Sequence, residues 1–329
     1  MKRDNVLVIG ARGQIGVELT QSLRKLYGSS NVVAADLGPS SPGSDSGPYV
    51  QLDVLEREEL GAVITRYDIS QIYLLAARLS AAAERLPQEA WNVNMLGLLN
   101  VLEAAREKGV GKVFWPSSIA VFGPDAPRWN CPQDAPLNPA TVYGISKMAG
   151  ESWCRYYWNK YAVDVRSLRY PGLIGYKSMP GGGTTDYAVE IFHEALNRGT
   201  YTCYLKENTI LPMMYMPDAI RATIELMAAP ASALTTREGY NISAMCFSPR
   251  ELALVMSRYL PEFKIRYQPD FRQEIADGWP QKVDDSAAAA DWKWEYVYGI
   301  SETVRHMLGH LSAGMDLATG KIQDLKLAY

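Results

Sequence analysis

An α/β fold, a doubly wound parallel sheet with helices on both faces and a smaller α/β region after it, is predicted by three features of this 329-residue chain. Short apolar runs alternate with stretches of helical periodicity, as strands buried on both faces and joined by crossover helices require. The first run passes into a glycine-spaced turn, Gly10-Ala-Arg-Gly13-Gln-Ile-Gly16, and the second ends in an acid, Asp36. Farther along, Tyr143 and Lys147 stand one turn apart on a single helical face.

Bulk properties exclude several classes. Hydrophobic residues make up 47% of the chain, enough for a full core without metals or disulfides. A net charge of -3 with interspersed signs offers no broad attraction for nucleic acid or an anionic membrane. Cys131, Cys154, Cys203 and Cys246 are scattered, with no Cys-x-x-Cys and no histidine at ligand spacing, so they read as reduced packing residues and no metal site is expected. A strand-like run begins within the first residues without a basic-then-apolar leader, and no long apolar span occurs, which predicts a cytoplasmic protein.

Taken in order, residues 6–9 (VLVI) form the first strand. Gly10, Gly13 and Gly16 are spaced for a tight turn, a close backbone approach to a pyrophosphate and close packing of helix on strand. Gln14 and Ile15 lie inside that turn, and the N-terminus of a helix over 17–27 faces the phosphates. The spacing departs from G-x-G-x-x-G, and a glycine turn that binds nothing is the alternative. A second strand, 31–36, ending in Asp36 narrows the choice. A carboxylate there accepts ribose hydroxyls and repels a 2'-phosphate, favouring NAD over NADP.

Residues 38–48 read as a surface loop and 51–54 as a third strand, whose Asp53 reaches an adenine amino group or caps a helix. After a helix over 56–67, residues 72–77 form a fourth strand carrying Leu75, Ala76 and Ala77 along the cofactor path. Ser80 follows, facing a substrate or lying in a solvated loop. A helix over 91–108 holds Asn94, and a fifth strand over 112–115 ends in Pro116-Ser117-Ser118. With 123–139 as a loop, Ser118, Tyr143 and Lys147 converge. The ammonium would lower the phenol pKa from about 10, so that Tyr143 exchanges a proton with a substrate hydroxyl. Lys147, a flexible stem with several donors, would also reach the nicotinamide ribose. A strand over 163–169 leads to Tyr170-Pro171-Gly172.

The glycine pattern, Asp36, Leu75-Ala76-Ala77, Asn94, Pro116-Ser117-Ser118 and Tyr143-x-x-x-Lys147 together resemble the extended short-chain dehydrogenase/reductase superfamily, the group of UDP-galactose 4-epimerase. That resemblance implies a Rossmann-type NAD-binding domain over about residues 1–175, with 210–244 returning to it, and a substrate-binding region in 176–209 and 245–329. It implies that Tyr143 is the acid/base, that Lys147 tunes it and that Ser118 hydrogen-bonds the reacting oxygen. NAD contacts would come from Gly10, Gly13, Gln14, Ile15, Gly16, Asp36, Asp53, Val54, Leu75, Ala76, Ala77, Asn94, Ser117, Tyr143, Lys147, Tyr170 and Gly172. Arg169 reads as structural.

The substrate is chosen by the C-terminal part. In residues 180–188 (PGGGTTDYA), three glycines expose backbone amides, and two hydroxyls plus an acid open a helix over 187–197, making a polar, anion-tolerant pocket. An N-cap at Thr184, Thr185 or Asp186 is compatible with that role. Together with 211–218 and 275–280, this stretch resembles the short-chain-type L-threonine 3-dehydrogenases, over about residues 6–306. By that resemblance Ser80, Ser118, Tyr143, Thr184, Thr185 and Trp279 line an amino-acid pocket that Trp279 closes, and NAD oxidises the threonine β-hydroxyl to give 2-amino-3-oxobutyrate. A sugar-nucleotide epimerase or dehydratase, a dehydrogenase of another small 3-hydroxy acid, and a non-enzymatic NAD-binding regulator are the alternatives.

Two positions depart from the family pattern: Leu74 where a histidine is expected, and Gly278 where a serine is expected to keep the closing loop tight. Trp279, Trp292, Trp294, Tyr296 and Tyr298 read mostly as core. Asp218 reads as a helix start, and His193, His306 and His310 carry no chemical role. The helices over 91–108 and 141–161 are apolar over wide arcs, the latter with Trp153, Tyr156, Tyr157 and Trp158. Such breadth fits burial by the sheet on one side and by a second subunit on the other, a homodimer. Beyond 309 the family pattern gives no match.

Overall fold

The first strand, β1 (Val6–Ile9), is buried at every position, and its alternate side chains enter two different cores. In the computed structural model residues 4–39 and 47–313 are described; most of the loop expected over 38–48 and the tail after 313 lie outside them. The chain continues through α1 (Gln14–Tyr27), a 3-10 turn, β2 (Val32–Asp36), β3 (Tyr49–Gln51), α2 (Arg57–Arg66) and β4 (Gln71–Leu74). Next come α3 (Ser80–Arg85), α4 (Pro87–Trp91), a π turn (Asn92–Leu96) and α5 (Gly97–Lys108). They are followed by β5 (Lys112–Phe114), β6 (Ser117–Ser118), α6 (Val142–Tyr161), β7 (Val165–Tyr170) and β8 (Gly172–Ile174). The remainder comprises α7 (Tyr187–Arg198), β9 (Thr200–Cys203), β10 (Leu211–Tyr215), α8 (Met216–Ala228), β11 (Gly239–Asn241), β12 (Met245–Phe247), α9 (Pro249–Met256), β13 (Lys264–Tyr267), α10 (Arg272–Asp277), α11 (Ser286–Trp292) and α12 (Ile300–Ser312).

The main sheet is parallel, in the order β3-β2-β1-β4-β5-β7-β11, with β6 paired to β7. The order reverses between β1 and β4, and the cleft beyond the carboxyl ends of those strands is where such sheets take ligands. Val6 and Val8 pack with Leu19 and Leu23 of α1 and Leu226 of α8, whereas Leu7 and Ile9 pack with Leu60, Leu98 and Leu102 under α2 and α5. A third core gathers β10, α7, α9 and α12 around Trp279.

Several boundaries differ from expectation, and two strands end early because a strand ends where its partner ends, not where the apolar run ends. The third strand is Tyr49–Gln51, so Asp53 and Val54 lie past it, and the fourth stops at Leu74, leaving Leu75 to Ala77 in the following turn. The strand before the Tyr170-Pro171-Gly172 turn runs from Val165 through Tyr170 rather than over 163–169. Helix α1 begins at Gln14, not at 17. The segment expected as one helix over 91–108 contains the π turn and starts earlier, at Pro87. Of the segment expected to return to the first domain, β11 joins the main sheet beside β7, but β10 pairs instead with β8 and β12 in a separate three-stranded sheet. Tyr296, read with the aromatic core, is exposed. No helix among the described residues is long and apolar enough to cross a membrane.

Candidate active site

At the start of α1 the backbone itself sets the geometry. Gly10 has a φ of 85°, and a Cβ there would stand 2.6 Å from the Ala76 backbone nitrogen; one on Gly16 would stand 2.1 Å from the Gly10 carbonyl oxygen. Side chains are therefore excluded at both positions, so the turn lies hard against the segment after β4. Asp36 folds over this turn, its carboxylate accepting from the Arg12 and Leu37 amides at 2.9 Å each. An ionised carboxylate has further lone pairs for a hydroxyl donor.

Across the cleft, Thr141 caps α6 by accepting from the Gly144 amide at 3.0 Å. A Cβ on Gly144 would lie 2.2 Å from the Ala120 oxygen, so the helix start sits directly on the turn that follows Ser118. This close approach brings Ser118 and Tyr143 together: Ser118 hydrogen-bonds the phenol. Lys147 is buried, donates to the Pro116 oxygen at 2.6 Å and lies 4.3 Å above the Trp115 ring.

The electrostatics reverse one expectation. Burial pushes the Tyr143 phenol up to about 12, against which the Ser118 hydrogen bond works, and Lys147 does not depress it. Desolvation instead draws Lys147 down to about 7, with Cys154 and Glu151 acting in the opposite direction. The physical reason is where the ammonium points: its hydrogen bond goes to Pro116, and it faces the Tyr143 ring at 5.5 Å.

The substrate side is held by side chains. Ser80 is the first residue of α3, buried rather than solvated, and its hydroxyl lies 3.2 Å from the Thr184 hydroxyl while accepting from the Thr184 amide at 3.3 Å. Asp186 does not cap α7 with its side chain; Oδ2 accepts from the Gly182 and Gly183 amides at 2.8 and 2.7 Å. Two of the three glycine amides expected to be open to an anion are thus already engaged. Trp279 is buried, and its segment is pinned by Arg128, whose guanidinium donates to the Asp277 oxygen and whose own carbonyl accepts from the Gln281 amide at 2.7 Å. Gly278 is right-handed helical with room for a Cβ, and Leu74 is a core residue under α5.

Gln14, Ile15, Leu75, Ala77, Ser80, Ser117, Ser118, Tyr143, Lys147, Tyr170, Gly172, Thr184, Thr185 and Trp279 all border one cleft of about 140 Å³. Asp186 is the one carboxylate among its lining residues. Other expected contacts, and the hydroxyls of Ser117 and Tyr170 within this lining, are engaged inside the fold. Asn94, in the π turn, spends its amide on the Arg78 backbone and on Ser146. Asp53 accepts from the Leu55 amide in its own turn, and Val54 packs beneath Gly97. Ser117 donates to Glu151 at 2.5 Å, and Tyr170 pairs with Thr223. Sequence reasoning passed over Glu151; the available signal was its place one turn after Lys147, together with an arginine, Arg169, in a strand that is otherwise buried.

The NAD dependent epimerase/dehydratase family matches residues 6–243. A partial consensus L-threonine 3-dehydrogenase is 56% identical, covers 94% of this chain and 99% of its own, and superposes with a TM-score of 0.93. The GalE-like L-threonine dehydrogenase from Cupriavidus necator, in its holo form, is 55% identical over 93% and 99% of the two chains, with a TM-score of 0.91. A monomeric L-threonine 3-dehydrogenase from a metagenome, in its apo form, is 45% identical over 93% and 98%, with a TM-score of 0.90.

Proposed function

The chain belongs to the NAD dependent epimerase/dehydratase family, and we propose that within it this protein is an L-threonine 3-dehydrogenase that oxidises the threonine β-hydroxyl to give 2-amino-3-oxobutyrate. The observation that carries the reading is one cleft bordered on one side by Ser118, Tyr143 and Lys147 and on the other by Ser80, Thr184, Thr185, Asp186 and a buried Trp279. That wall suits a small amino acid. A sugar nucleotide needs a longer channel than a small amino acid does.

NAD fits the residues present. The close packing at Gly10 and Gly16 seats the turn so that the α1 N-terminus can face a pyrophosphate, and Asp36 suits ribose hydroxyls and disfavours a 2'-phosphate. Gly10, Gly13, Gln14, Ile15, Gly16, Asp36, Leu75, Ala76, Ala77, Lys147, Tyr170 and Gly172 would hold it. When bound, NAD supplies the hydride acceptor.

Tyr143 removes the β-hydroxyl proton. Burial raises its pKa and the Ser118 hydroxyl works against that rise, so the phenolate, once formed, is a strong base. Ser118 orients the hydroxyl and steadies the developing oxyanion. Lys147, poised near pH 7, supplies positive charge below the phenol ring. Thr184, Thr185 and Ser80 meet the substrate carboxylate, and Asp186 meets its amino group.

Following NADH absorbance with L-threonine, L-serine, 3-hydroxybutyrate and UDP-glucose tests the assignment. Turnover of threonine well above the others is expected, and UDP-glucose processed without net NADH formation would overturn it in favour of an epimerase. The same reading places residues 1–175 with β11 as the cofactor half and 176–209 with 245–329 as the substrate half. It puts the enzyme in the cytoplasm, where the four free cysteines stay reduced. Trp91, Leu96, Ile145, Trp153 and Tyr156 are exposed along α4, the π turn and α6, which supports a homodimer through that face. Since one similar enzyme is monomeric, light scattering decides the point: a dimer mass is expected, and a monomer mass at micromolar concentration would remove this part of the reading.

A further inference from the structure

Directly behind Lys147 lies a set of buried polar groups that the proton transfer does not use. Glu151, one turn farther along α6, and Arg169 of β7 are each only 1% exposed. Arg169 Nε and Nη2 donate to Glu151 Oε1 and Oε2 at 2.9 and 2.8 Å, and the Ser117 hydroxyl donates to Oε1 at 2.5 Å. The remaining arm of Arg169, Nη1, donates to the Gln133 oxygen at 2.8 Å and to Asn241 Oδ1 at 3.2 Å. Asn241 in turn donates to the Cys131 oxygen at 3.2 Å. The Cys131 backbone is bridged to the chain just past Trp279, donating to the Lys282 oxygen at 3.0 Å and accepting from the Asp284 amide at 2.9 Å. Gly239 makes room for the pair, since a Cβ there would stand 2.5 Å from Glu151 Oε1 and 2.8 Å from Arg169 Cγ.

A fully buried ion pair is a poor source of stability, because desolvation of both charges offsets their attraction and apolar residues of similar volume would serve as well. What such a pair does fix is position. Ser117 precedes Ser118, Glu151 shares a helical face with Lys147, and Arg169 reaches toward the Trp279 segment. We infer that Glu151 is a positioning residue: clamped by Arg169 and Ser117, it sets the Ser118 hydroxyl and the Lys147 ammonium relative to one another and ties both to the segment that carries Trp279. This inference rests on the proposed roles of Ser118, Tyr143 and Lys147.

The groups facing Lys147 are Tyr143, Glu151 and Cys154 on its own helix, the Trp115 ring and Pro116 carbonyl at the end of β5, and Arg169 of β7 from beyond Glu151. Burial opposes the ammonium there, while Cys154 and Glu151 favour it. Removing the carboxylate charge therefore shifts loss of the ammonium to lower pH, and the limb of the rate profile that needs it moves the same way.

The test compares Glu151→Gln, Glu151→Gln with Arg169→Met, Ser117→Ala and Tyr143→Phe in the full chain. Thermal unfolding, NAD titration by tryptophan fluorescence, KM for threonine and the pH profile of kcat are measured for each. Glu151→Gln alone leaves Arg169 buried without its partner and is expected to lower Tm, whereas the double variant regains Tm yet stays about tenfold or more down in kcat, with its high-pH limb displaced downward by about half a unit or more. Ser117→Ala, which spares the ion pair, is expected to keep Tm and lose severalfold in kcat, and it carries the test if the acidic variants fail to fold. Wild-type kcat and pH profile in the double variant, or wild-type kcat in Ser117→Ala, would reduce the network to scaffolding and overturn the inference. Wild-type turnover by Tyr143→Phe would instead remove the reading on which it rests.

Discussion

Two glycine-rich turns border the cleft, and they are glycine-rich for different reasons. At residues 10–16 the backbone is so closely packed that a Cβ on Gly10 or Gly16 would fall within 2.6 Å of another backbone atom. At residues 181–183 no backbone atom crowds the glycines: a Cβ on Gly182 meets nothing within 4 Å, although its φ of 90° disfavours any side chain, while one on Gly181 or Gly183 would meet only side chains, Leu79 at 3.0 Å and Asp186 at 2.9 Å, and the turn is held by a single carboxylate, Asp186. The cofactor side is thus fixed chiefly by steric contact, which neither pH nor salt alters, with the Asp36 carboxylate on the Arg12 amide as an added tie. The substrate side is fixed by a titratable group whose grip depends on conditions. A site can bind one partner rigidly and still adapt to the other when its two halves use such different means.

Substitutions can break or sharpen that contrast. The largest effect is expected where neither turn is touched: Tyr143→Phe should lower kcat by about 10²- to 10⁴-fold while NAD affinity stays as in the wild type, measured by NADH formation and by fluorescence titration. Gly16→Ala should come next. It forces the helix away from the turn, so both Tm and NAD affinity should fall while KM for threonine in NAD-saturated enzyme changes little. The destabilisation expected from overpacking is about 1–3 kcal/mol, readable in urea unfolding.

Asp186→Asn should do the converse, raising KM for threonine by about tenfold without altering NAD affinity. Its stability effect has a defined sign. Burial raises the Asp186 carboxyl above its ordinary value, against which the Gly183 and Gly182 amides work. The folded chain therefore holds that proton more tightly than the unfolded one. The contribution is complete below the ordinary carboxyl range and is lost as pH rises through the raised value. Thermal unfolding of the wild type should show that loss across the window, and Asp186→Asn should flatten it; an unchanged pH slope would mean that the substrate turn is as insensitive as the cofactor turn. The smallest effect is expected for Gly278→Ser, since Gly278 is helical with space for a side chain. Tm and KM should stay within error, and a clear fall in KM would show that glycine there loosens the closing segment.

What the sequence revealed follows the same division. The glycine turn, Asp36 and the Tyr143–Lys147 pair were legible because each is local: a strand, a turn and a helix face specify them within a few residues. Residues whose role depends on distant partners were not. Ser80 looks like an ordinary loop serine until Thr184, 104 residues away, covers it. The amides of Gly182 and Gly183 look free until Asp186 turns back on them, and Asn94 looks available until it is seen to hold the Arg78 backbone. The pKa order of Tyr143 and Lys147 escaped as well, because spacing on a helix says that two groups are neighbours but not how much water either retains. Arg169 reads as structural from sequence without its partner being identified; a guanidinium inside a buried strand demands a carboxylate somewhere, and Glu151 supplies it.

The π turn over Asn92–Leu96 bears on how this chain tolerates insertions and deletions. Such a turn is an α-helix that carries one surplus residue, so excising a residue there would restore a regular helix and leave both flanking helical segments intact. Because the widened turn absorbs the surplus residue, α4 with its exposed Trp91 would keep its orientation relative to α5, and the change would stay within the turn. A single-codon deletion at this point is accordingly a local edit. It would disengage the Asn94 amide from Arg78, with almost no cost to helical hydrogen bonding.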